Sequence, residues 1–130
     1  MANKQRRALI KQLRALGRDC ANDDWDGRGA LALKPESLRR AEVIAINLPD
    51  GFPMPECAPE PDGSISLDWI FSRPVLYSLS VGGSERLAYA WMDGKKSGHG
   101  VACLTGPSMP ALFLSKILAL AKGDKAIRGR

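Results

Sequence analysis

From Ser64 to Met92 the apolar residues of this 130-residue chain recur at every second position. Ile65, Leu67, Trp69 and Phe71 alternate with Ser64, Ser66, Asp68, Ile70 and Ser72. Val75, Tyr77, Leu79 and Val81 continue the pattern, as do Leu87, Tyr89 and Trp91. Successive side chains of a strand point to opposite faces, so period two predicts strands with one heavily apolar face. Turn signals at Ser72-Arg73-Pro74 and Gly82-Gly83-Ser84 join them into an antiparallel meander. The opposite face is small and mixed: Ser66, Asp68, Ser78, Ser80, Ala88 and Ala90, with Ile70, Leu76 and Met92. Lys95–Gly100 reads as a loop, followed by a short fourth strand around Val101–Leu104.

Such a sheet needs a cover, and the flanking segments have helical period. Residues 3–16 read as a helix with Asn3 as N-cap, Gly17 just past its end, and Leu9, Leu13 and Leu16 as its apolar stripe. On its far side Lys4, Arg7, Lys11, Arg14 and Arg18 form a basic ridge about 21 Å long. A second helix runs from Pro35 to Asn47, since proline suits a first turn and Leu48-Pro49 ends it. Its core stripe is Leu38, Ala41, Ile44, Ala45 and Leu48. Pro49, Pro53, Pro55, Pro59 and Pro61 then make residues 49–63 an extended connector, anchored by Phe52, Met54 and Cys57. A last helix spans Met109 to Lys122, capped by Ser108 and closed by Gly123. Its Phe113, Leu114, Ile117, Leu118, Leu120 and Ala121 suit the apolar sheet face.

The expected fold is therefore α+β: two N-terminal helices, a three- to four-stranded antiparallel meander, and a C-terminal helix packed on the sheet. Residues 1–130 form a single domain, large enough to bury about two-thirds of its unfolded surface without metal or disulfide staples. Its parts are a basic helix (1–18), a turn, second helix and connector (19–63), the sheet (64–105), a helix (108–122) and a frayed tail (123–130). Cys20, Cys57 and Cys103 are odd in number and widely spaced, which argues against a disulfide framework or zinc site and fits a reducing cytoplasm. No apolar run approaches the ~20 residues of a membrane span, and the basic N-terminus lacks the apolar core of a signal peptide.

The net charge of +5 is partitioned along the chain. Residues 1–18 carry six basic and no acidic side chains, residues 19–68 net −7, and residues 69–130 net +6. Segregated charge suggests a charged partner.

The acid-rich segment Asp23-Asp24-Trp25-Asp26-Gly27-Arg28-Gly29-Ala30 is the first candidate for chemistry. Aligned to a calcium loop, Asn22, Asp24, Asp26 and Gly27 fill the early positions, but the closing bidentate acid is replaced by Leu33. Acid catalysis would need a partner carboxylate and an apolar pocket. The structural reading is simpler: Trp25 buries its ring, Asp26 caps the backbone, and Gly27 and Gly29 supply angles closed to other residues. Gly94-Lys95 fails as a phosphate loop, because Tyr89 stands where its first glycine belongs. His99 lies between glycines, where an exposed, inert imidazole is expected. No metal or cofactor set is complete. The basic ridge could contact phosphates, though neither an aromatic platform nor helix-turn-helix spacing accompanies it.

The Trp25-Asp26-Gly27-x-Gly29-Ala30 motif is followed by Leu48-Pro49, a proline-rich stretch, and Asp62-Gly63-x-Ile65-x-Leu67-Asp68-Trp69. Over residues 22–92 this pattern resembles a group of small uncharacterised bacterial and mobile-element proteins. The resemblance implies a fold, with Trp25, Asp26, Gly27, Gly29, Asp62, Gly63 and Trp69 as its structural marks, and no activity or catalytic residue. The expected function is a non-enzymatic, cytoplasmic protein-binding module: an inhibitor, adaptor or antitoxin-like partner in a bacterial or phage setting, as anti-CRISPR proteins are. The alternative is a nucleic-acid-associated regulator using Lys4, Arg7, Lys11, Arg14 and Arg18. A small hydrolase using the acidic residues stands third.

Overall fold

A computed structural model describes residues 4–104, 106 and 109–128. Helices α1 (Lys4–Asp19) and α2 (Pro35–Asn47) precede five strands, β1 (Glu56–Pro59), β2 (Ile65–Ser72), β3 (Val75–Val81), β4 (Arg86–Asp93) and β5 (Lys96–Cys103), and α3 (Ala111–Arg128) follows. The strands form one antiparallel sheet in the order β1-β2-β3-β4-β5, each paired with its neighbour in sequence. The α+β class, the two leading helices, the meander and the helix after it are as the periodicity predicts.

One strand is additional and another is longer than expected. The connector contains β1, whose Cys57 and Pro59 pair with Leu67 and Ile65. A short strand can carry a proline at a sheet edge because its missing N–H faces away from the ladder. The sheet thus begins before residue 64. The expected Lys95–Gly100 loop is strand from Lys96 onward: only Gly94 and Lys95 turn, and β5 pairs along its whole length from Asp93↔Lys96 to Arg86↔Cys103. Its glycines, poor strand formers in isolation, leave room for rings from β4. A Cβ on Gly98 would lie 2.5 Å from Trp91 Nε1, and one on Gly100 2.6 Å from Tyr89 Oη.

Two helices outrun their expected ends. Helix α1 continues through Gly17 to Asp19, and a Cβ on Gly17 would come within 2.6 Å of Leu38 Cδ2. The glycine admits α2 rather than stopping α1. Helix α3 passes Gly123 and takes in much of the expected tail, as far as Arg128. A glycine costs a helix interior only about 1 kcal/mol, which flanking helix formers offset. Helix α2 has its expected bounds, with Pro35 in the first turn and Leu48 already extended. The N-caps proposed at Asn3 and Ser108 lie outside the described residues.

All the core lies on one side of the sheet. Ile65, Leu67, Trp69, Val75, Tyr77, Leu79, Val81 and Leu87 are buried there. Leu9 and Leu13 of α1 and Ala41, Ile44 and Ala45 of α2 meet them from one end. Helix α3 brings Phe113, Ile117 and Leu120 from the other. Aromatic rings run through this layer: Phe52 stands edge-on to Trp69 (6.5 Å), Trp69 to Tyr77 (6.1 Å), and Phe113 lies 5.0 Å from Tyr89. Among the described residues no helix is long and apolar enough to cross a membrane.

Candidate docking face and the acid-rich turn

The carboxylates of the opening motif are spent on the backbone. Asp23 Oδ1 accepts the Ala32 amide (2.9 Å), Asp24 Oδ1 that of Gly29 (2.7 Å), and Asp26 Oδ1 those of Arg28 and Ala30 (2.8 and 3.1 Å). The amide of Arg28 first, and that of Ala30 with it, hold the Asp26 carboxyl below its ordinary range. Trp25 is half-buried and donates its indole N–H to Leu31 O at 2.8 Å. Gly27 and Gly29 take φ of +72° and +84°, and Asp24 itself sits at +63°, a region aspartate tolerates better than most residues.

The second motif is stitched to the first. Leu31 donates its amide to Pro61 O (2.8 Å) and Lys34 to Gly63 O (3.0 Å). Asp62 Oδ1 accepts the Ser64 amide at 3.0 Å. Gly63 has φ of +91°, and a Cβ there would lie 3.0 Å from Ala32 O, so neither backbone angle nor space admits a larger residue. Trp69, buried in the core, donates to Pro53 O (2.8 Å) and so pins the connector. Trp25, Asp26, Gly27, Gly29, Asp62, Gly63 and Trp69 thus hold one continuous backbone junction between the helical half and the sheet.

The basic ridge lies on α1 as the helical period places it. Lys4, Arg7, Lys11, Arg14 and Arg18 are all exposed, opposite buried Leu9 and Leu13. Arg14 Nε lies 3.4 Å from Glu42 Oε1; the other four have no ion-pair partner among the described residues. Arg6, outside the ridge, is the anchored cation, reaching Asp50 at 3.2 Å and the Leu48 carbonyl.

Among the described residues no helix lies on the far side of the sheet. Its side chains form rows across the strands: Glu56, Asp68, Ser78, Ala90 and His99 in one, and Ala58, Ser66, Ser80, Ala88 and Val101 in the next. Ile70, Leu76, Met92 and Ser97 make a third. The polar groups of the floor are already satisfied. Asp68 Oδ1 accepts from Ser66 Oγ (2.6 Å) and Ser78 Oγ (2.7 Å), and Ser80 Oγ donates to Glu60 Oε1 at 2.6 Å. Glu60, Ser66, Ser78, Ser80, Ala88 and Ala90 line a shallow depression of about 180 Å³. Around it Ile70, Met92 and Val101 are 57%, 40% and 53% exposed. Acidic side chains gather on the β1–β2 side, at Glu56, Glu60 and Asp68.

His99 stands on this face three strands from Asp68, about 14 Å away at the usual strand spacing. Burial, and Asp68 nearby, push the Cys57 thiol up, and burial does the same for Cys20, so neither is poised as a thiolate. The period-two pattern identifies Ser66, Asp68, Ser78, Ser80, Ala88 and Ala90 on this face and the short fourth strand includes Val101, but Glu56, Ala58 and His99 are missed, because β1 and the first half of β5 read as connector and loop. The alternation of small Gly98, Gly100 and Ala102 with larger His99 and Val101 is the signal for this part of β5, weakened by the low strand preference of glycine.

No protein-family model, curated protein or solved structure matches the chain.

Proposed function

We propose that this chain is a non-enzymatic protein-binding module whose open sheet face docks a partner protein. One observation carries the reading: among the described residues no element packs on one face of the five-stranded sheet, whose middle is small residues with the Ser66, Ser78 and Ser80 hydroxyls already bonded. A solvated sheet face is ordinarily rich in long charged side chains; the middle of this one is short serine and alanine side chains, ringed by exposed Ile70, Met92 and Val101. Glu56, Glu60 and Asp68 along one side favour a partner patch that is apolar with a basic flank. The acidic residues of the opening motif, occupied by backbone amides, favour this reading over hydrolysis. An inhibitor, adaptor or antitoxin-like role in a bacterial or phage-infected cytoplasm suits such a surface.

The second reading, phosphate contact through α1, is favoured by the unpaired charges of Lys4, Arg7, Lys11 and Arg18. Two variants separate the two. Ala90→Arg plants a long cation in the floor of the open face, while Lys4, Arg7, Lys11 and Arg18 changed together to Glu reverse the ridge. In a pull-down from bacterial lysate, a protein captured by the wild type should be lost at least tenfold with Ala90→Arg and retained with the ridge variant. Loss with the ridge variant alone, together with a steep salt dependence of about −0.9 in log–log slope per neutralised phosphate, would move the function to nucleic acid.

A further inference from the structure

The two edges of the sheet are guarded differently. Strand β1 is four residues long and ends in Pro59, and α1 runs beside it, with Gln12 Oε1 3.9 Å from Cys57 Sγ. Strand β5 is eight residues long with no proline, its register with β4 is unbroken, and among the described residues no strand lies beyond it. Proteins blunt an exposed edge with proline, a bulge, an inward-pointing charge or a short strand. None interrupts β5 between Ser97 and Cys103. Its side chains on the covered face there are only Gly98, Gly100 and Ala102, and its one charged residue, Lys96, is its first.

The Gly94-Lys95 turn determines which backbone groups face outward. Residues flanking a two-residue hairpin loop exchange both of their hydrogen bonds, so Asp93 and Lys96 form a bonded pair. By alternation Gly98, Gly100 and Ala102 turn their amides and carbonyls to β4. Ser97, His99, Val101 and Cys103 turn theirs away from the sheet.

We propose that β5 is a self-association edge, where a second copy of this chain pairs antiparallel across a two-fold axis to make one continuous ten-stranded sheet. The strand is complementary to itself in one register. With Gly100 opposite Gly100 of the second copy, Ser97 meets Cys103 and His99 meets Val101. All four outward-facing residues of each strand then find partners, and eight backbone bonds form. The axis passes through the close, non-bonded glycine pair, where no side chain obstructs. Charge agrees with this arrangement. The two Lys96 residues lie roughly 27 Å apart, at about 3.4 Å per residue. Each comes beside Leu104 of the second copy, whose amide is held by the main chain of acidic Glu85 at 2.7 Å. A parallel pairing would instead set lysine against lysine. The proposal rests on the edge alone and stands whether or not the open face binds a partner.

Two measurements test it. Val101→Pro removes only an outward N–H, which an edge strand tolerates, so the monomer fold should survive with an unchanged circular dichroism spectrum. Sedimentation of the wild type should show a concentration-dependent dimer, and Val101→Pro should shift it to monomer by at least tenfold in dissociation constant. Separately, Ser97→Cys should cross-link under mild oxidation to the native Cys103 of the second copy, since a bonded antiparallel pair brings the Cα atoms to about 5.5 Å, within disulfide reach. Peptide mass spectrometry of the cross-linked dimer reads the register, and it decides the matter even where Val101→Pro fails to fold. A wild type that stays monomeric at every concentration, a dimer indifferent to Val101→Pro, or a Ser97→Cys protein that cross-links only through other cysteines would each overturn the proposal.

Discussion

Asp26 shows how a residue that resembles catalytic equipment can be structural. Its carboxylate is held by two amides, so its folded pKa lies below that of the unfolded chain. The stability it supplies is then fully present above the unfolded value of about 3.9 and is lost as pH falls through the lower folded value. Urea denaturation of wild type and Asp26→Asn across pH should show the variant less stable at neutrality, with the gap closing in acid. A gap that stays constant at low pH would mean the charge is irrelevant. Trp25 belongs to the same turn. Because its ring is half-buried, Trp25→Ala should cost about 2 kcal/mol, against about 3–5 kcal/mol expected of a fully buried tryptophan such as Trp69. Equal losses for the two in chemical denaturation would show Trp25 to be more central than its exposure indicates.

At the scale of elements, legibility depended on whether a segment's period was its own or was imposed by neighbours. Helix α2 and strands β2 to β4 carry unbroken apolar periods, and their order and pairing could be read directly. Strand β1 hides in prolines, and β5 in glycines that matter only because Tyr89 and Trp91 lean over them. That is tertiary information, invisible to a local pattern. Trp91 also receives Lys116 Nζ 3.7 Å from its ring centre, tying α3 to the same place. Gly98→Ala should therefore push the indole out of its seat, at about 1–3 kcal/mol, with a red shift in the tryptophan fluorescence of the folded protein. An unshifted spectrum and unchanged midpoint would show that the ring has room to move. The junction of the two Trp motifs was legible as structure in its residue types, though not as a single stitched unit, because Leu31 and Pro61, which bond across it, are thirty residues apart in sequence and carry no signal.

Over the whole molecule, three helices crowd one side of the sheet and, among the described residues, leave the other bare, so its core is one-sided. That asymmetry followed from the period-two pattern, which placed large side chains on one face and small ones on the other. The order of assembly follows from the same plan. Strand neighbours in space are neighbours in sequence, so each hairpin can close soon after it leaves the ribosome. The cover over the β3–β4 aromatics is made after them: Phe113, which meets Tyr77 and Tyr89, and Ile117, buried among the core residues, lie on α3. At 5–20 residues per second, translating from Cys103 to Ile117 takes roughly one to three seconds. For that interval the nascent chain carries a finished sheet whose Tyr77 and Tyr89 lack the cover of Phe113, which is when a chaperone would find it most adhesive.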